Sequence, residues 1–255
     1  SQRWQSVWTD LYVPPATKPG TYLGKITVTA AELSSPAIVI LTLKVLPFNI
    51  PEQVTWPIDL NAYAYGLTRI SGVDIQAETG RFLNVERSFY QVGHAHRSTL
   101  NVLPYQQDGS VQIMAAPELT GEGAKVKVSD WSAWDRRYGP YLNGKAFTQA
   151  MGYRGPGTGQ PLSHIYLPFH ENWPKPIKKH YGDYAELKTR LDFANWARTS
   201  RSPFEAFDSQ YCEGFSSIVR QFFEYFDKKG YKGTAFQVYF NNKYYFKVPF
   251  FRMPN

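Results

Sequence analysis

The sequence predicts an α/β plus all-β chain: the last strands of an N-terminal β-sandwich, followed by the first half of a (β/α)8 barrel of the TIM type. Three observations support this fold class. Residues 1–50 are rich in β-branched residues and in turn-forming Pro and Gly. After residue 57, short apolar runs alternate with amphipathic helical patterns. Those runs lack polar–apolar alternation, as is typical of parallel strands buried on both faces.

The predicted domains are 1–50 for the sandwich strands and 58–255 for the partial barrel, with a linker at 51–57. Three strands are too few for a complete sandwich and leave open edges, so we expect further strands or the next domain to cover them. These predicted strands cover 7–14, 21–30 and 37–48.

The predicted barrel domain contains four strands separated by helices. A complete barrel needs eight strands and roughly 250 residues, so four strands in roughly 200 residues predict half a barrel. Asn84 is the predicted N-cap of the first helix, and the glycine-rich segment 152–159 is predicted to be a flexible connection. The predicted strands cover 58–65, 99–105, 164–171 and 234–246. The predicted helices cover 83–98, part of 130–147, 183–199 and 204–229.

Composition and motifs limit the classes of function. The 28 Lys+Arg and 21 Asp+Glu give a net charge of +7, but the basic residues are scattered and form no nucleic-acid-binding arm. The sequence has no P-loop, dinucleotide fingerprint or nucleophile elbow. We expect no cofactor and no membrane span. A single cysteine, Cys212, excludes an internal disulfide. The start at Ser1, without an initiator Met or a signal peptide, is expected of a processed chain or a fragment.

The carboxyl ends of the predicted strands carry the candidate site, because barrel enzymes place their chemistry there. Amides, phenols, an imidazole, a carboxylate and an indole are concentrated at these ends. Sugar hydroxyl groups donate and accept hydrogen bonds, and apolar sugar faces stack on aromatic rings. The pattern predicts an oligo- or polysaccharide site, with ordinary polar strand ends as the alternative. The residues are Asn61, Tyr63, Tyr65, Pro104, Tyr105, Gln106, His170, Glu171, Asn172, Trp173, Tyr239, Asn241, Asn242 and Lys243.

Two further patterns restrict the chemistry. Glu171 is the one carboxylate at these strand ends, since Asp59 lies near the start of the first strand. Glycoside hydrolysis normally uses two carboxylates. His94 and His96 resemble a metal pair, but residues two apart on a helix point in different directions. We therefore predict no metal site.

Several segments, in order, resemble glycoside hydrolase family 123 and its relatives of uncharacterised function. The first segment resembles the β-sandwich that precedes the barrel in that family, and the others are similar to successive barrel segments. Together they cover most of the chain. The segments read VPPATKPGTYLGKITVTA, ERSFYQVGHAHRSTLNVLPY, DWSAWDRRYGPYLNGKAF, YLPFHENWP and FQVYFNNKYYF.

This resemblance implies a retaining, substrate-assisted hydrolase of N-acetylhexosaminides such as β-N-acetylgalactosamine. In the family an adjacent Asp–Glu pair performs the chemistry, a short distance after the segment similar to NNKYYF. No Asp–Glu dipeptide occurs in this sequence, where KVPFFRMPN follows instead. The resemblance therefore extends only to sugar-contacting candidates. These are Glu171, His170, Asn172, Trp173, Tyr105 and Asn241.

Three functions remain open from the sequence. The first is a secreted, periplasmic or cell-surface bacterial glycosidase of the β-N-acetylhexosaminidase type. The second is a non-catalytic glycan-binding or assembly protein with the same fold. The third, suggested by the net charge, is a lyase for acidic glycans. Besides a glycan, we expect the half-barrel to be covered by the rest of its own chain or by an assembly partner.

Overall fold

The computed structural model describes residues 6–106, 110–170, 172–176 and 208–238. The chain divides into two compact units, Ser1–Gln53 and Val54–Asn255, and the division lies inside the segment predicted as a linker. Several predictions fall outside the described residues. They are the site residues Glu171, Tyr239 and Asn241 and the helix at 183–199.

The first unit contains one antiparallel pair of strands. Strand β1 spans Gly20–Val28 and strand β2 spans Ala37–Val45, paired from Gly20↔Val45 to Val28↔Ala37. Both are rich in β-branched residues, and these two predicted strands are confirmed. Their apolar side chains are largely exposed among the described residues.

The strand predicted at 7–14 is not formed, and that prediction was wrong. Trp8 donates its indole N–H to Asp10 Oδ1 at 2.8 Å, a local contact, and the indole is 86% exposed. Pro14 and Pro15 follow and have no N–H to donate to a neighbouring strand. The apolar residues of this segment thus have no partner strand among the described residues to hold them.

The second unit opens with a parallel β–α–α–β arrangement. Strand β3 spans Asp59–Tyr63 and helix α1 spans Ala64–Ser71. Helix α2 spans Thr79–Ala95 and strand β4 spans Thr99–Leu103. Strands β3 and β4 are paired in parallel. Helix α1 was not predicted from the sequence.

Helix α2 begins earlier than predicted, so Asn84 lies inside it and is not the N-cap. The reason is a turn just before the helix. Asp74 Oδ1 accepts the backbone N–H groups of Gln76 and Ala77, both at 2.8 Å. This side-chain turn directs the chain into the helix five residues upstream of Asn84.

A hairpin and a third helix follow. Strands β5, Glu118–Thr120, and β6, Lys127–Asp130, are antiparallel, and neither was predicted from the sequence. Helix α3 spans Ser132–Leu142, and short 3-10 turns follow at Lys145–Phe147 and Gln149–Met151.

The last elements form a second parallel pair. Strand β7 spans His164–Tyr166, helix α4 spans Ser209–Lys229 and strand β8 spans Ala235–Gln237, with β7 and β8 parallel. Strand β7 is shorter than the predicted 164–171. Pro168 cannot donate a backbone hydrogen bond, and the chain then turns at His170 and Trp173.

Helix α4 shows how local signals define an element. Asp208 Oδ1 accepts the Tyr211 N–H at 2.7 Å as the N-cap, and Gly230 ends the helix in the left-handed region with φ 71°. Ile218, Phe222 and Phe226 form its buried side. The predicted helix is confirmed, beginning at Ser209.

Close packing of helix α4 depends on Gly214. A Cβ at this position would lie 2.6 Å from the Gly123 carbonyl oxygen and 3.0 Å from Lys175 Nζ. The backbone of the 3-10 turn Gly123–Lys125 and the Lys175 side chain therefore approach the helix where it has no side chain. Lys175 is buried, and its Nζ donates to the Gln210 carbonyl at 2.9 Å.

We expect Gly214→Ala to lower the free energy of unfolding by about 1–3 kcal/mol, because a backbone carbonyl must move to admit the methyl group. Gly66→Ala in α1 is the matched control, since a Cβ there meets nothing within 4 Å. That variant should gain about 0.5–1 kcal/mol from helix propensity. Urea unfolding of both variants measures the contrast, and equal effects would contradict the packing argument.

The two parallel pairs lie side by side, with helices on one face. Thr99 Oγ1 of β4 is 3.2 Å from Ser163 Oγ beside β7. On the helix side, the Phe236 ring of β8 stacks on Phe226 of α4 at 4.1 Å between centroids. The Val102 backbone N–H of β4 donates to the Tyr90 hydroxyl oxygen of α2 at 3.0 Å. The described residues form no closed barrel, so the half-barrel stays a prediction.

None of the helices within the described ranges is long and apolar enough to cross a membrane.

Candidate functional site

The face of the parallel strands opposite the helices is mostly polar. Successive side chains of a strand point to opposite faces, and register partners in parallel strands point the same way. Asp59 pairs with Thr99, and Asn61 pairs with Asn101. We call this surface the polar face. It comprises Asp59, Asn61, Tyr63, Thr99, Asn101, Leu103, His164, Tyr166, Ala235 and Gln237.

Asp59 joins three strands at the amino ends of the polar face. Asn101 Nδ2 of β4 donates to Asp59 Oδ1 at 2.9 Å, and His164 Nε2 of β7 lies 3.3 Å from the same oxygen. The Tyr166 hydroxyl donates to the other carboxylate oxygen. These contacts fix the carboxylate, whose side chain is 22% exposed. Asp59 was set aside in the sequence because of its position near a strand start.

His164 continues this polar cluster. Its Nδ1 lies 2.8 Å from Ser163 Oγ, which in turn is 3.2 Å from Thr99 Oγ1. A chain of polar contacts thus runs from Thr99 through Ser163 and His164 to the Asp59 carboxylate. Because it lies at the amino ends of the strands, it orders the base of the polar face and is separate from the carboxyl-end rim.

The pKa of the Asp59 carboxyl is below its ordinary value. Burial alone raises this pKa, but the contacts with His164, Tyr166 and Asn101 favour the ionised form and outweigh burial. A carboxyl with a lowered pKa in the folded state contributes stability above its unfolded pKa of about 3.9. That contribution is lost as the pH falls through the folded value.

We expect Asp59→Asn to be less stable than the wild type at pH 7 and to lose less stability on acidification. The physical reason is that the amide is not protonated in this range, whereas protonation of Asp59 removes its negative charge and turns one of its two acceptor oxygens into an O–H donor. Urea unfolding between about pH 6 and about pH 2.5 measures the difference. Parallel pH profiles for the two proteins would show that Asp59 has no such role.

Three predicted residues meet at the carboxyl ends of the strands. The Tyr63 and Tyr105 rings are 6.5 Å apart at 71°, and the Tyr105 and His170 rings are 4.8 Å apart at 73°. Tyr65 stacks on Tyr63 at 5.8 Å and 16°. We call Tyr63, Tyr65, Tyr105 and His170 the rim. Tyr105 and His170 are buried, whereas Tyr65 is 51% exposed and Asn61 of β3 is also exposed.

His170 is oriented by the turn that follows it. The Asn172 backbone N–H donates to His170 Nδ1 at 2.9 Å, and the His170 and Trp173 backbones exchange hydrogen bonds at 3.0 and 3.1 Å. Since Nδ1 accepts, the neutral ring carries its proton on Nε2. The Asn172 side chain is exposed at the tip of this turn.

Trp173 lies in the hydrophobic core, whereas the sequence predicted that it would contact a sugar. Its ring contacts Phe169 at 5.1 Å and Phe222 at 5.8 Å between centroids, and the residue is 9% exposed. The peptide bond to Pro174 is cis. The indole thus supports the turn that carries His170 and offers little open surface to a sugar.

The histidine pair of α2 binds separate partners. His94 Nε2 is 2.9 Å from the Gly157 carbonyl oxygen, and His96 Nδ1 is 2.8 Å from that of Val92. His94 also stacks on Phe147 at 3.9 Å. Within the described ranges, no group of three or more His, Cys, Asp or Glu residues could hold a metal ion.

The glycine-rich segment 152–159 is anchored, so its prediction as a flexible connection was wrong. Besides the His94 contact, the Tyr153 hydroxyl donates to the Pro156 carbonyl at 2.6 Å. The Gly159 N–H donates to the Phe147 carbonyl at 2.9 Å. Long-range partners for loop polar groups are not visible in a sequence.

A shallow groove of about 520 Å³ lies on the outer side of α4, where Phe215, Val219 and Phe223 contribute apolar surface. It shares no residue with the polar face or the rim.

No protein-family model, curated protein or solved structure matches this chain. Function is therefore inferred from the polar face and the rim.

Proposed function

We propose that this chain binds glycans at the rim, as a glycoside-hydrolase-like protein directed at N-acetylhexosaminides. One observation carries the proposal: Tyr65, which is 51% exposed, stacks on Tyr63 at the carboxyl end of β3, the strand that also carries the exposed residue Asn61. An open aromatic face next to an amide suits a ring with one apolar face and a polar edge.

Each rim residue has a distinct part in this proposal. Tyr65 offers its open ring face for stacking, and Tyr63 holds that ring in place from the buried side. The Asn61 amide both donates and accepts, as a hydroxyl or acetamido group requires. Tyr105 is buried and packs edge-on against Tyr63, and the buried His170 packs in turn against Tyr105.

Hydrolysis requires more than these residues supply. A substrate-assisted retaining mechanism uses a pair of acidic residues, and no Asp–Glu dipeptide occurs in the sequence. We therefore propose sugar binding for the 255 residues, with turnover dependent on an acidic pair that they do not contain. An extracytoplasmic location follows from this proposal, because that is where such glycans are exposed.

Isothermal titration with N-acetylhexosamine oligosaccharides tests the proposal. We expect Tyr65→Ala to weaken binding about 3- to 10-fold, since an aromatic contact contributes about 0.5–1.5 kcal/mol beyond its buried area. Tyr12→Ala is the matched control, because Tyr12 is also exposed but lies in the first unit. No binding by the wild type, or equal binding by both variants, would overturn the rim assignment.

A further inference from the structure

The charge of the polar face differs in sign from the charge of the whole chain. The net charge is +7, which suits an acidic polymer. Yet none of the strand residues of the polar face is Lys or Arg, and one of them, Asp59, is a carboxylate. The basic residues of the described strands and helices are elsewhere, so the overall charge does not describe this surface.

Asp59 cannot readily turn its charge away from the polar face. Asn101, Tyr166 and His164 contact both of its oxygens from the neighbouring strands. All three are held in turn by β4 and β7, and Asn101 and His164 are buried. The carboxylate charge is therefore held in place on the polar face.

We propose that Asp59 makes the glycan site select neutral sugars against anionic ones such as uronates and sulfated sugars. This inference rests on the proposed function and deepens it by naming the class of glycan and a residue that determines it. Along β3 the spacing of about 3.3 Å per residue places Asp59 about 7 Å from Asn61 and about 13 Å from Tyr63. An anionic group bound at the rim would therefore meet repulsion from the Asp59 carboxylate, for which the described strand residues of the polar face supply no Lys or Arg.

The expected size of the preference is roughly tenfold at low salt, from the repulsion of two unit charges at this separation in a partly shielded site. The preference should shrink as salt rises from about 10 mM to about 1 M, because the Debye length falls from about 30 Å to about 3 Å.

A matched pair of ligands isolates the charge. Hyaluronan oligosaccharides and their carboxyl-reduced forms have the same sugar backbone and differ in the uronate charge. At about pH 8, where a histidine imidazole is largely neutral, titration calorimetry should show that the wild type binds the reduced form roughly tenfold more tightly. Asp59→Asn should bind the charged form several-fold more tightly than the wild type and the reduced form about equally. Asp74→Asn, in an exposed turn, should match the wild type.

The outcomes separate the two proposals. If neither ligand binds, the proposed function fails and charge selection fails with it. If both ligands bind equally, or the charged one binds more tightly, charge selection alone is overturned and the sugar site stands. If Asp59→Asn does not fold, the salt series on the wild type decides, because a preference that persists unchanged at high salt contradicts an electrostatic origin.

Discussion

Replacing Glu86 by Gln should lower the free energy of unfolding by about 3–5 kcal/mol, because it leaves the buried Arg137 without its counter-ion. Arg137 Nη2 donates to Glu86 Oε1 at 2.7 Å and Nε donates to Oε2 at 3.1 Å. Both side chains are 0% exposed. The guanidinium also lies over the Phe82 and Tyr138 rings, at 5.4 and 5.1 Å.

Arg137 cannot escape the cost by losing its proton. Burial lowers the pKa of an arginine, but the neighbouring Glu86 carboxylate raises the Arg137 pKa above its ordinary value. In Glu86→Gln the charge persists, since a guanidinium is not deprotonated in proteins. The amide then replaces a charge-assisted pair of hydrogen bonds with weaker ones.

The pair also supports the rim. Glu86 belongs to α2 and Arg137 to α3, and Arg137 Nη1 donates to the Ile113 carbonyl at 2.7 Å. Ile113 follows Val111, which pairs with Tyr105 in a short bridge. We therefore expect the fluorescence and near-ultraviolet signals of the rim tyrosines to change in Glu86→Gln together with the loss of stability.

Two companions make this prediction specific. Glu78→Gln breaks the exposed pair with Arg81, whose N–O distance is 3.0 Å, and should change stability far less. The double variant Glu86→Leu with Arg137→Met removes both charges and should be more stable than Glu86→Gln. Urea unfolding measures all of them. A double variant as unstable as the single one would show that packing, and not the unpaired charge, sets the cost.

The elements that the sequence predicted well carry their own signals. Helix α4 has an Asp208 cap, a terminal Gly230 and a phenylalanine repeat, all within one stretch of chain. The predicted start of α2 was wrong because the Asp74 turn, which precedes Asn84, begins the helix earlier. The predicted strand at 7–14 was wrong because a strand needs a neighbouring strand to pair with. An apolar run in the sequence does not show whether such a neighbour exists.

The sequence predicted those site residues whose position at a strand end is enough to bring them together. Tyr63, Tyr105 and His170 meet because the carboxyl ends of parallel strands share one edge. Asp59 was missed because its partners come from other strands, up to 107 residues away in the case of Tyr166. Pairing across strands depends on register, which the alternation of one strand does not reveal.

Substitution of Trp173 should give the second large loss of stability. The size of that loss distinguishes a core role for the indole from a sugar-stacking role. We expect Trp173→Ala to cost about 3–5 kcal/mol, as other large-to-small changes at buried aromatic sites do. The indole packs on Phe169 and Phe222 and closes the turn that presents His170. A stacking residue at an open rim would instead lose sugar affinity with little loss of stability.

Trp56→Ala is the matched control for Trp173→Ala, since Trp56 lies in the same unit and is largely exposed. Its unfolding free energy should stay within about 0.5 kcal/mol of the wild type. Trp173→Phe should recover part of the loss, because a phenyl ring fills much of the same space against Phe169 and Phe222. If Trp173→Ala unfolds at the same urea concentration as the wild type but no longer binds glycan, the indole faces the sugar, and the placement of His170 in the rim must be revised with it.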